Sequence, residues 1–350
     1  MPGREVRLVE SVQVYTHAGG MLLVQGTEAL RIRSADSPVA DAVRRLRTGA
    51  DRDALAGGAS APAVRRLVEH LDTLGWLTAE PPYAEQGVPW DRQVGWLTSV
   101  TPDGQRAQDR LRTCSVAVLG VGGIGALAAQ HFAGAGVPEL WLIDHDEVAV
   151  HNLNRQYLFT TADVGEAKVT AAARALRAVN ADMRLHTVRR KVVSPEDLDV
   201  LPGSLDLLVV AADQPRTVWD TAWAWAERTA TPLIGGAVGL GSGYWGPLLD
   251  PAAGHCWRCF ERRRVSGFSA EERSLENDGT PTAHSFGPTN SLVAALVARD
   301  ALLFLGTGDC AVRGRRLVLD VLGAGGPVAT TGDATCAGKE STLHGTGQDT

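Results

Sequence analysis

The sequence predicts an α/β protein in which a doubly wound, mostly parallel sheet follows a small α+β module. Apolar strands alternate with helical patterns beyond about residue 110, as in a parallel sheet covered on both faces. A glycine-rich turn follows the first of these strands. Before about residue 85, short strands precede helices, and Pro81, Pro82 and Pro89 mark the linker between the two parts.

The first 82 residues form the small module. Its predicted strands are V-R-L-V, V-Q-V-Y, G-G-M-L-L-V-Q-G and A-L-R-I-R-S. Two helices are predicted, over residues 39–46 and 61–77, because apolar residues recur there at spacings of three and four. The order of elements is therefore strands first and helices second.

Residues 83–338 form the second, larger domain. The predicted strands cover residues 115–119, 139–143, 205–211 and 232–238. The predicted helices cover residues 124–132, 168–179 and 215–228. A polar, glycine-containing stretch over residues 265–284 predicts a mobile loop, and the polar residues 339–350 predict a disordered tail.

Composition excludes several classes of protein. Lys and Arg total 34 against 40 for Asp and Glu, a net charge of −6, which argues against a non-specific nucleic-acid binder. The start lacks the apolar core of a signal peptide, and Arg299 and Asp300 interrupt the most apolar run. Five cysteines, an odd number, do not form a disulfide framework. We therefore expect a cytoplasmic protein with reduced thiols and neither a nucleic-acid nor a membrane partner.

A nucleotide site is predicted after the first strand of the large domain. Gly120-Val-Gly122-Gly123-Ile-Gly125 follows that strand and opens a helix, where backbone amides can approach phosphate. Asp144 ends the next strand, where a carboxylate meets ribose hydroxyls. Together these features predict a Rossmann-like nucleotide-binding sheet; a purely structural glycine turn is the alternative.

Charged residues after Asp144 favour chemistry at a phosphate rather than hydride transfer. The next segment contains Asp146, Asn152, Asn154, Arg155 and Gln156, and Gly165-Glu-Ala-Lys168 follows it. Arg and Lys stabilise the charge that develops on phosphoryl oxygens, whereas an NAD-dependent oxidoreductase would not require them. Asp213 ends another strand, where a carboxylate can hold Mg²⁺.

These motifs resemble the ThiF/MoeB/HesA adenylyltransferases, relatives of the ubiquitin-activating enzymes. The resemblance rests on G-V-G-G-I-G, D-H-D, N-L-N-R-Q, G-E-A-K and A-A-D-Q-P and covers about residues 88–325. It implies ATP and Mg²⁺ binding, and attack of a polypeptide carboxylate on the α-phosphate to give an acyl-adenylate and pyrophosphate.

The resemblance also implies roles for individual residues. Asp144 would bind the ribose, and Asp213 would serve Mg²⁺. The residues implied around the nucleotide and its phosphates are Gly120, Gly122, Gly123, Gly125, Asp146, Asn152, Asn154, Arg155, Gln156 and Lys168. In W-D-R-Q-V-G-W, Arg92 would reach the ATP of the partner subunit in a homodimer; an ordinary surface arginine is the alternative.

A zinc site is the second implication, and here the sequence departs from the family. Cys256-Trp-Arg-Cys259 has metal-knuckle spacing, but only Cys336 is found where the family has a second C-x-x-C. Asp333, His255 or His344 could complete a tetrahedral zinc site around the three cysteines. The alternative is a decayed site.

No cysteine is placed to form a thioester. The predicted loop over residues 265–284 contains none, and Cys114 and Cys310 fall at a strand start and after a helix. The adenylate is therefore expected to pass to an outside nucleophile or to a group of the substrate itself.

The N-terminal module resembles the winged-helix-like precursor-recognition domains of enzymes that modify ribosomally made peptides. In such modules a leader peptide adds a strand to an exposed sheet edge. The expected substrate is therefore a peptide, activated at a carboxyl or amide group. The alternatives are activation of a ubiquitin-like sulfur-carrier protein, a non-catalytic leader-binding scaffold, and a module that serves only as a cap or dimerisation arm.

Overall fold

The computed structural model describes residues 5–55, 61–79, 87–101, 103–271, 284–320, 327–331 and 334–336. The chain divides into two compact units, residues 1–109 and 110–350. The predicted domain boundary after residue 82 and the predicted tail over residues 339–350 lie outside the described residues and stay predictions. Most of the predicted loop over residues 265–284 does so as well.

The first unit begins with four strands, as its sequence predicts. They are β1 (Glu5–Leu8), β2 (Gln13–His17), β3 (Gly20–Gln25) and β4 (Glu28–Ile32). The following elements are α1 (Pro38–Thr48), β5 (Ala50–Asp51), α2 (Arg52–Leu55), α3 (Ala61–Thr73), β6 (Leu77–Thr78), α4 (Asp91–Leu97) and α5 (Gly104–Leu111), the last of which crosses the boundary between the units. The six described strands of this unit form two antiparallel sheets, with the strand orders β5-β1-β6 and β2-β3-β4.

Helix α3 is shorter than its apolar pattern predicts. Gly75 has a φ of +68°, which ends the helical conformation soon after Thr73. Leu77, predicted as helical, pairs instead with Leu8 of β1. The apolar stripe of α3 is nevertheless buried as predicted, with Val64, Leu67, Val68 and Leu71 in the core of the unit.

The second unit contains an eight-stranded sheet. Its strands are β7 (Ser115–Leu119), β8 (Glu139–Ile143), β9 (Arg184–Val188), β10 (Leu207–Val210), β11 (Leu233–Val238), β12 (Ser242–Trp245), β13 (Arg316–Asp320) and β14 (Pro327–Thr331). Their order is β14-β13-β12-β11-β10-β7-β8-β9. The strands from β11 to β9 in this order are parallel, and the remaining pairs are antiparallel. The predicted doubly wound, mostly parallel sheet is therefore confirmed.

Helices cover both faces of this sheet. They are α6 (Gly125–Gly134), α7 (Lys168–Val179), α8 (Val218–Thr229), α9 (Trp257–Ser266) and α10 (Gly287–Thr307). Helices α6, α7 and α10 pack on one face, and α8 and α9 on the other. Strands β8 and β9 lie on one side of β7, whereas β10 and β11 lie on its other side. The order of the strands in the sheet therefore reverses between β7 and β10.

Helix α10 is the one described helix that is long and apolar enough to cross a membrane. Its Val293, Ala294, Val297 and Ala301 are fully buried in the core, and the fully buried Asp300 accepts a hydrogen bond from Trp245 Nε1 at 2.7 Å. Core packing therefore accounts for its apolar composition.

Candidate active site

A cavity of about 900 Å³ opens at the carboxyl ends of the parallel strands, where the chain reverses direction between β7 and β10. Ligands bind at this point in doubly wound sheets. Residues predicted from the sequence that line it are Gly120, Gly122, Gly123, Asp144, Asp146, Asn152, Arg155, Gln156, Lys168 and Asp213. The structure thus brings together most of the predicted site of the second unit.

The glycine turn after β7 is shaped by close backbone contacts. Gly120 has a φ of +91°, and a Cβ there would lie 2.6 Å from the backbone nitrogen of Ala212. A Cβ at Gly125 would overlap the carbonyl oxygen of Gly120. Gly125 is buried at the start of α6 and, unlike the other three glycines, does not line the cavity, so it permits the packing of α6 against β7.

Asp144 links the glycine turn to the end of β8. Its Oδ2 accepts a hydrogen bond from the backbone nitrogen of Val121 at 2.7 Å, and its Oδ1 accepts one from that of Asp146 at 2.9 Å. The carboxylate is 8% exposed and lines the cavity. Two backbone donors therefore fix its orientation before a ligand arrives.

Lys168 is held by the segment that follows β8. Glu147 and Ala167 form an antiparallel bridge, and the backbone nitrogen of Lys168 donates to the carbonyl oxygen of Asp146 at 3.0 Å. Lys168 Nζ also donates to Asp146 Oδ2 at 2.8 Å. Burial raises the pKa of Asp146, but the hydrogen bond and charge of Lys168 outweigh it, so this pKa lies below its usual value.

The segment after the bridge supplies further polar groups. Asn152 Oδ1 accepts a hydrogen bond from the backbone nitrogen of Ala149, and Arg155 Nη1 donates to the carbonyl oxygen of His151 at 2.6 Å. Asn154 was predicted to contact the nucleotide, but it does not line the cavity. Its amide donates to the carbonyl oxygen of Ser285 and accepts from Arg155, so it positions its neighbours.

The lining fits a nucleotide with a bound cation. Gln156 Oε1 is buried, and within the described residues it has no hydrogen-bond partner. A ribose hydroxyl is a donor of the kind that this oxygen lacks. Asp213 lines the cavity at the carboxyl end of β10 and is exposed, so its carboxylate is available as an oxygen ligand for Mg²⁺.

Three cations of the cavity were missed at the sequence level. Arg190 and Lys191 follow β9, whose R-L-H-T-V pattern was not recognised as a strand, so no strand end was expected there. Arg216 follows Asp213 by three residues. The rule that parallel strands end at one edge would have placed Arg190 and Lys191 here once β9 was identified.

Three cysteines form a separate cluster. The Sγ atoms of Cys256, Cys259 and Cys336 lie within 4.8 Å of one another. Burial, followed by the neighbouring thiols, raises the pKa of Cys259 to about 11. His255 is not part of this cluster, and its Nδ1 accepts a hydrogen bond from the backbone nitrogen of Asp250. Asp333 and His344, the other predicted ligands, lie outside the described residues.

The two other cysteines are unsuited to nucleophilic chemistry. Burial is the main cause that raises the pKa of Cys114 and of Cys310 to about 12, and neither thiol lines the cavity. A thiol with such a pKa is almost entirely protonated at neutral pH. Of these two cysteines, neither has the environment of a thioester-forming residue.

The first unit has a groove of its own, with a volume of about 640 Å³. It is bordered by α3 and by β4, which among the described strands pairs with β3 alone and is an edge strand of that sheet. Leu30, Ile32 and Leu67 contribute its apolar lining; its cationic and titratable residues are Arg31, Arg33, Arg66 and His70. Arg92, the remaining predicted residue, lies on α4 in the same unit.

The sheet topology and the cation-rich cavity define a nucleotide-binding enzyme domain equipped for phosphate chemistry. The sequence model of the ThiF family matches residues 90–334, and the chain belongs to this family. It is an adenylyltransferase, as its relatives are. This confirms the family and the enzyme class predicted from the sequence.

Two bacterial relatives illustrate the similarity. The sulfur carrier protein adenylyltransferase of Thermus thermophilus is 33% identical over 65% of this chain and 81% of its own length. The sulfur carrier protein ThiS adenylyltransferase of Escherichia coli is 32% identical over 62% of this chain and 80% of its own. By contrast, the chain covers 47% of the adenylyltransferase and sulfurtransferase MOCS3 of Anopheles gambiae, at 29% identity.

Among solved structures, E. coli MccB with ATP superimposes with a TM-score of 0.78 at 22% identity, over 95% of this chain and 98% of that one. The microcin C7 biosynthetic enzyme MccB in complex with N-formylated MccA gives a TM-score of 0.77 at 23% identity, over 95% and 99%. These likenesses extend the shared fold beyond the part that the sequence relatives match.

Proposed function

We propose that this enzyme adenylates a carboxyl or amide group of a ribosomally made peptide, in the biosynthesis of a modified peptide natural product. The observation that carries the proposal is the extent of the likeness to MccB. That likeness spans 95% of the chain, whereas the Thermus sulfur-carrier relative matches 65% of it. The N-terminal unit therefore has a counterpart in the microcin enzyme, and its edge-strand groove is suited to a peptide.

In this proposal the N-terminal groove binds the leader peptide. The outer edge of β4, which no other described strand covers, offers backbone groups to an added strand, and Leu30, Ile32 and Leu67 offer apolar contacts. The cations Arg31 and Arg66 favour a leader with acidic residues. Docking would raise the effective concentration of the reacting group at the nucleotide site.

The nucleotide cavity would perform the chemistry through groups that are already oriented. Asp144 and Gln156 accept hydrogen bonds from the ribose. Lys168, Arg155 and Asn152 donate to the phosphates and stabilise the negative charge that grows on the departing pyrophosphate. Asp213 would hold Mg²⁺, which neutralises phosphate charge and polarises the reacting phosphoryl group when it is bound.

Two further assignments belong to this proposal. The cluster of Cys256, Cys259 and Cys336 supplies three soft ligands for a structural zinc, whose fourth ligand would come from outside the cluster. The enzyme acts as a homodimer in which Arg92 of each protomer contributes to the other protomer's nucleotide site. In addition, no membrane or nucleic-acid partner is proposed.

The proposal is tested by peptide-dependent exchange of pyrophosphate into ATP, with Mg²⁺ and candidate precursor peptides from the same gene cluster. One peptide is expected to support exchange, and both Lys168→Ala and Asp213→Ala should abolish it. Exchange driven instead by a small carrier protein with a Gly-Gly end would establish the sulfur-carrier alternative. Peptide binding without any ATP binding would leave a leader-binding scaffold.

The groove is tested with the same assay. Arg66→Glu should raise the KM for the peptide about 10-fold and leave the KM for ATP unchanged, because it reverses one charge at the leader site. Arg65→Glu is the matched control, since Arg65 is an exposed neighbour on α3 that does not line the groove. Equal effects of the two changes would contradict leader binding in this groove.

A further inference from the structure

The end of the nucleotide cavity nearest β12 is aromatic. Trp219 of α8 and Tyr244 of β12 both line it, together with Ala237 of β11. These three residues are called the aromatic subsite below. None of them belongs to the motifs from which the nucleotide site was predicted.

The three side chains lie on one face of the sheet. Two ring carbons of Trp219 lie 2.7 and 3.0 Å from the place of a Cβ at Gly235, so the indole packs directly against β11 on that face. Gly235 and Ala237 are two residues apart and therefore face the same way. Tyr244 pairs with Ala237 across the antiparallel ladder, and directly paired residues share a face. Trp219 and Tyr244 thus flank Ala237.

Side chains of α9 and β13 pack against the two aromatic walls. The Trp219 and Trp257 rings are stacked with their centroids 4.7 Å apart, and Trp257 Nε1 donates to Asp220 Oδ1 at 3.1 Å. On the other side, the guanidinium of Arg316 lies 3.9 Å from the Tyr244 ring centroid and 5.3 Å from that of Phe260. The subsite is therefore preorganised, because each wall rests on a neighbour that is itself packed.

The direction of the reaction places the acceptor at this end. In phosphoryl transfer the attacking and leaving groups are roughly in line on opposite sides of the phosphorus. The groups proposed to hold the departing pyrophosphate, Lys168 and Arg155, come from the segment that follows β8. The incoming group must therefore approach from the opposite side, past Asp213, where β11 ends and the antiparallel β12 begins.

We propose that the aromatic subsite binds the side chain of the acceptor residue that is adenylated, and that it selects a large apolar side chain over glycine. This inference rests on the proposed adenylation of a peptide and adds a substrate class to it. A carrier protein that ends in Gly-Gly would leave the subsite unfilled.

The test uses non-hydrolysable mimics of the adenylate, which bind without a leader peptide. The probes are 5′-O-(N-acylsulfamoyl)adenosines whose acyl group is N-acetyl-phenylalanyl, N-acetyl-leucyl or N-acetyl-glycyl, and calorimetry gives each Kd on the full-length enzyme. The phenylalanyl and leucyl probes should bind about 10-fold more tightly than the glycyl probe, because they bury an apolar side chain. Equal Kd values for all three would overturn the subsite.

Variants of single residues test whether the aromatic subsite causes the preference for the phenylalanyl and leucyl probes over the glycyl probe. Trp219→Ala should reduce the preference for the phenylalanyl and leucyl probes to less than about 2-fold, since it removes an apolar wall of the subsite. Trp219→Phe should retain most of it and guards against loss of folding. Trp141→Phe is the control, because Trp141 stacks on His186 and does not line the cavity. An unchanged preference in Trp219→Ala would also overturn the subsite.

The outcomes separate this inference from the proposed function. If no probe binds, adenylation itself is wrong and the subsite falls with it. If all three probes bind with equal Kd values, adenylation stands and the subsite alone is wrong.

Discussion

The side chain of Lys168 is largely buried, with 7% exposed, and its Nζ lies 2.8 Å from the carboxylate of Asp146. An ammonium group in such a place needs an anion, since burial disfavours the charged form. Asp146 provides that anion in the free enzyme, and a phosphate would provide it in the complex. The pair therefore prepares the cation for its ligand.

The first prediction concerns this pair. Asp146→Asn should lower the free energy of unfolding by about 1–2 kcal/mol, because it leaves the buried ammonium without its half-exposed partner. ATP should raise the melting temperature of the variant more than that of the native enzyme, because the phosphates replace the lost charge. Thermal unfolding with and without ATP measures both effects.

The pH dependence of this effect follows from the pKa of Asp146, which is below its usual value when folded. The contribution of the Asp146 carboxylate to the free energy of unfolding should be fully present above the ordinary pKa of an aspartate. It should be lost as the pH falls through the lower pKa that Asp146 has in the folded protein. Asp182→Asn, at an exposed residue outside the cavity lining, is the control. A loss of stability that is the same in both variants would contradict the prediction.

The sequence motifs predicted correctly which residues lie near the cavity. They were less successful in predicting the direction in which each side chain points. Asp144, Lys168 and Asp213 line the cavity because strand and segment ends converge there, and sequence spacing reveals such ends. Asn154 instead turns towards Ser285, because its direction depends on a neighbour 131 positions away in the chain. That contact leaves no local signal in the sequence.

At the scale of secondary structure, α6 packs against β7 so closely that only glycine fits at its first residue. Gly125→Ala should destabilise the fold by about 1–3 kcal/mol and weaken ATP binding, because its Cβ would overlap the Gly120 carbonyl and press on Val118. Denaturant unfolding and ATP titration measure the two effects.

Gly134 provides the matched control within the same helix. A Cβ at this position would meet no atom within 4 Å. Gly134→Ala should therefore be neutral or should stabilise the fold by about 0.5–1 kcal/mol, since it reduces backbone entropy in the unfolded chain. A loss of stability in Gly134→Ala as large as in Gly125→Ala would contradict the argument.

The third prediction concerns the start of α9. Elemental analysis of the purified enzyme should find about one zinc per chain, and Cys336→Ser should lower both the zinc content and the melting temperature. Cys310→Ser, at a thiol outside the cluster, should retain the metal. Zinc-free native enzyme with an unchanged melting temperature in Cys336→Ser would instead support a decayed site.

The sequence predicted the buried parallel strands well and the antiparallel edge poorly. Strands β7, β8, β10 and β11 are apolar runs between helices, which is a strong signal. Strands β12, β13 and β14 were not predicted, because they pair antiparallel at one side of the sheet and β12 follows β11 after only three residues, with no helix between them. The pairing of β5 and β6 with β1 was missed because each of these two strands has only two residues.

At the scale of the whole molecule, the proposed exchange of Arg92 between protomers makes a fourth prediction. Arg92→Ala and Lys168→Ala should each be inactive alone. When the two are unfolded and refolded together in equal amounts, about a quarter of the native activity should return, because half of the dimers are mixed and each has one intact site. No recovery, with dimers present by light scattering, would place Arg92 in its own protomer's site or outside it.

The bridge between Glu147 and Ala167 has a consequence for motion. It joins the ends of a segment that carries Asn152, Arg155 and Gln156, and it is reinforced by backbone bonds on either side of it. A closed segment of this kind opens as a cooperative unit rather than residue by residue. Its amide protons should therefore exchange with solvent together, and a nucleotide that touches any one of these side chains should slow them all.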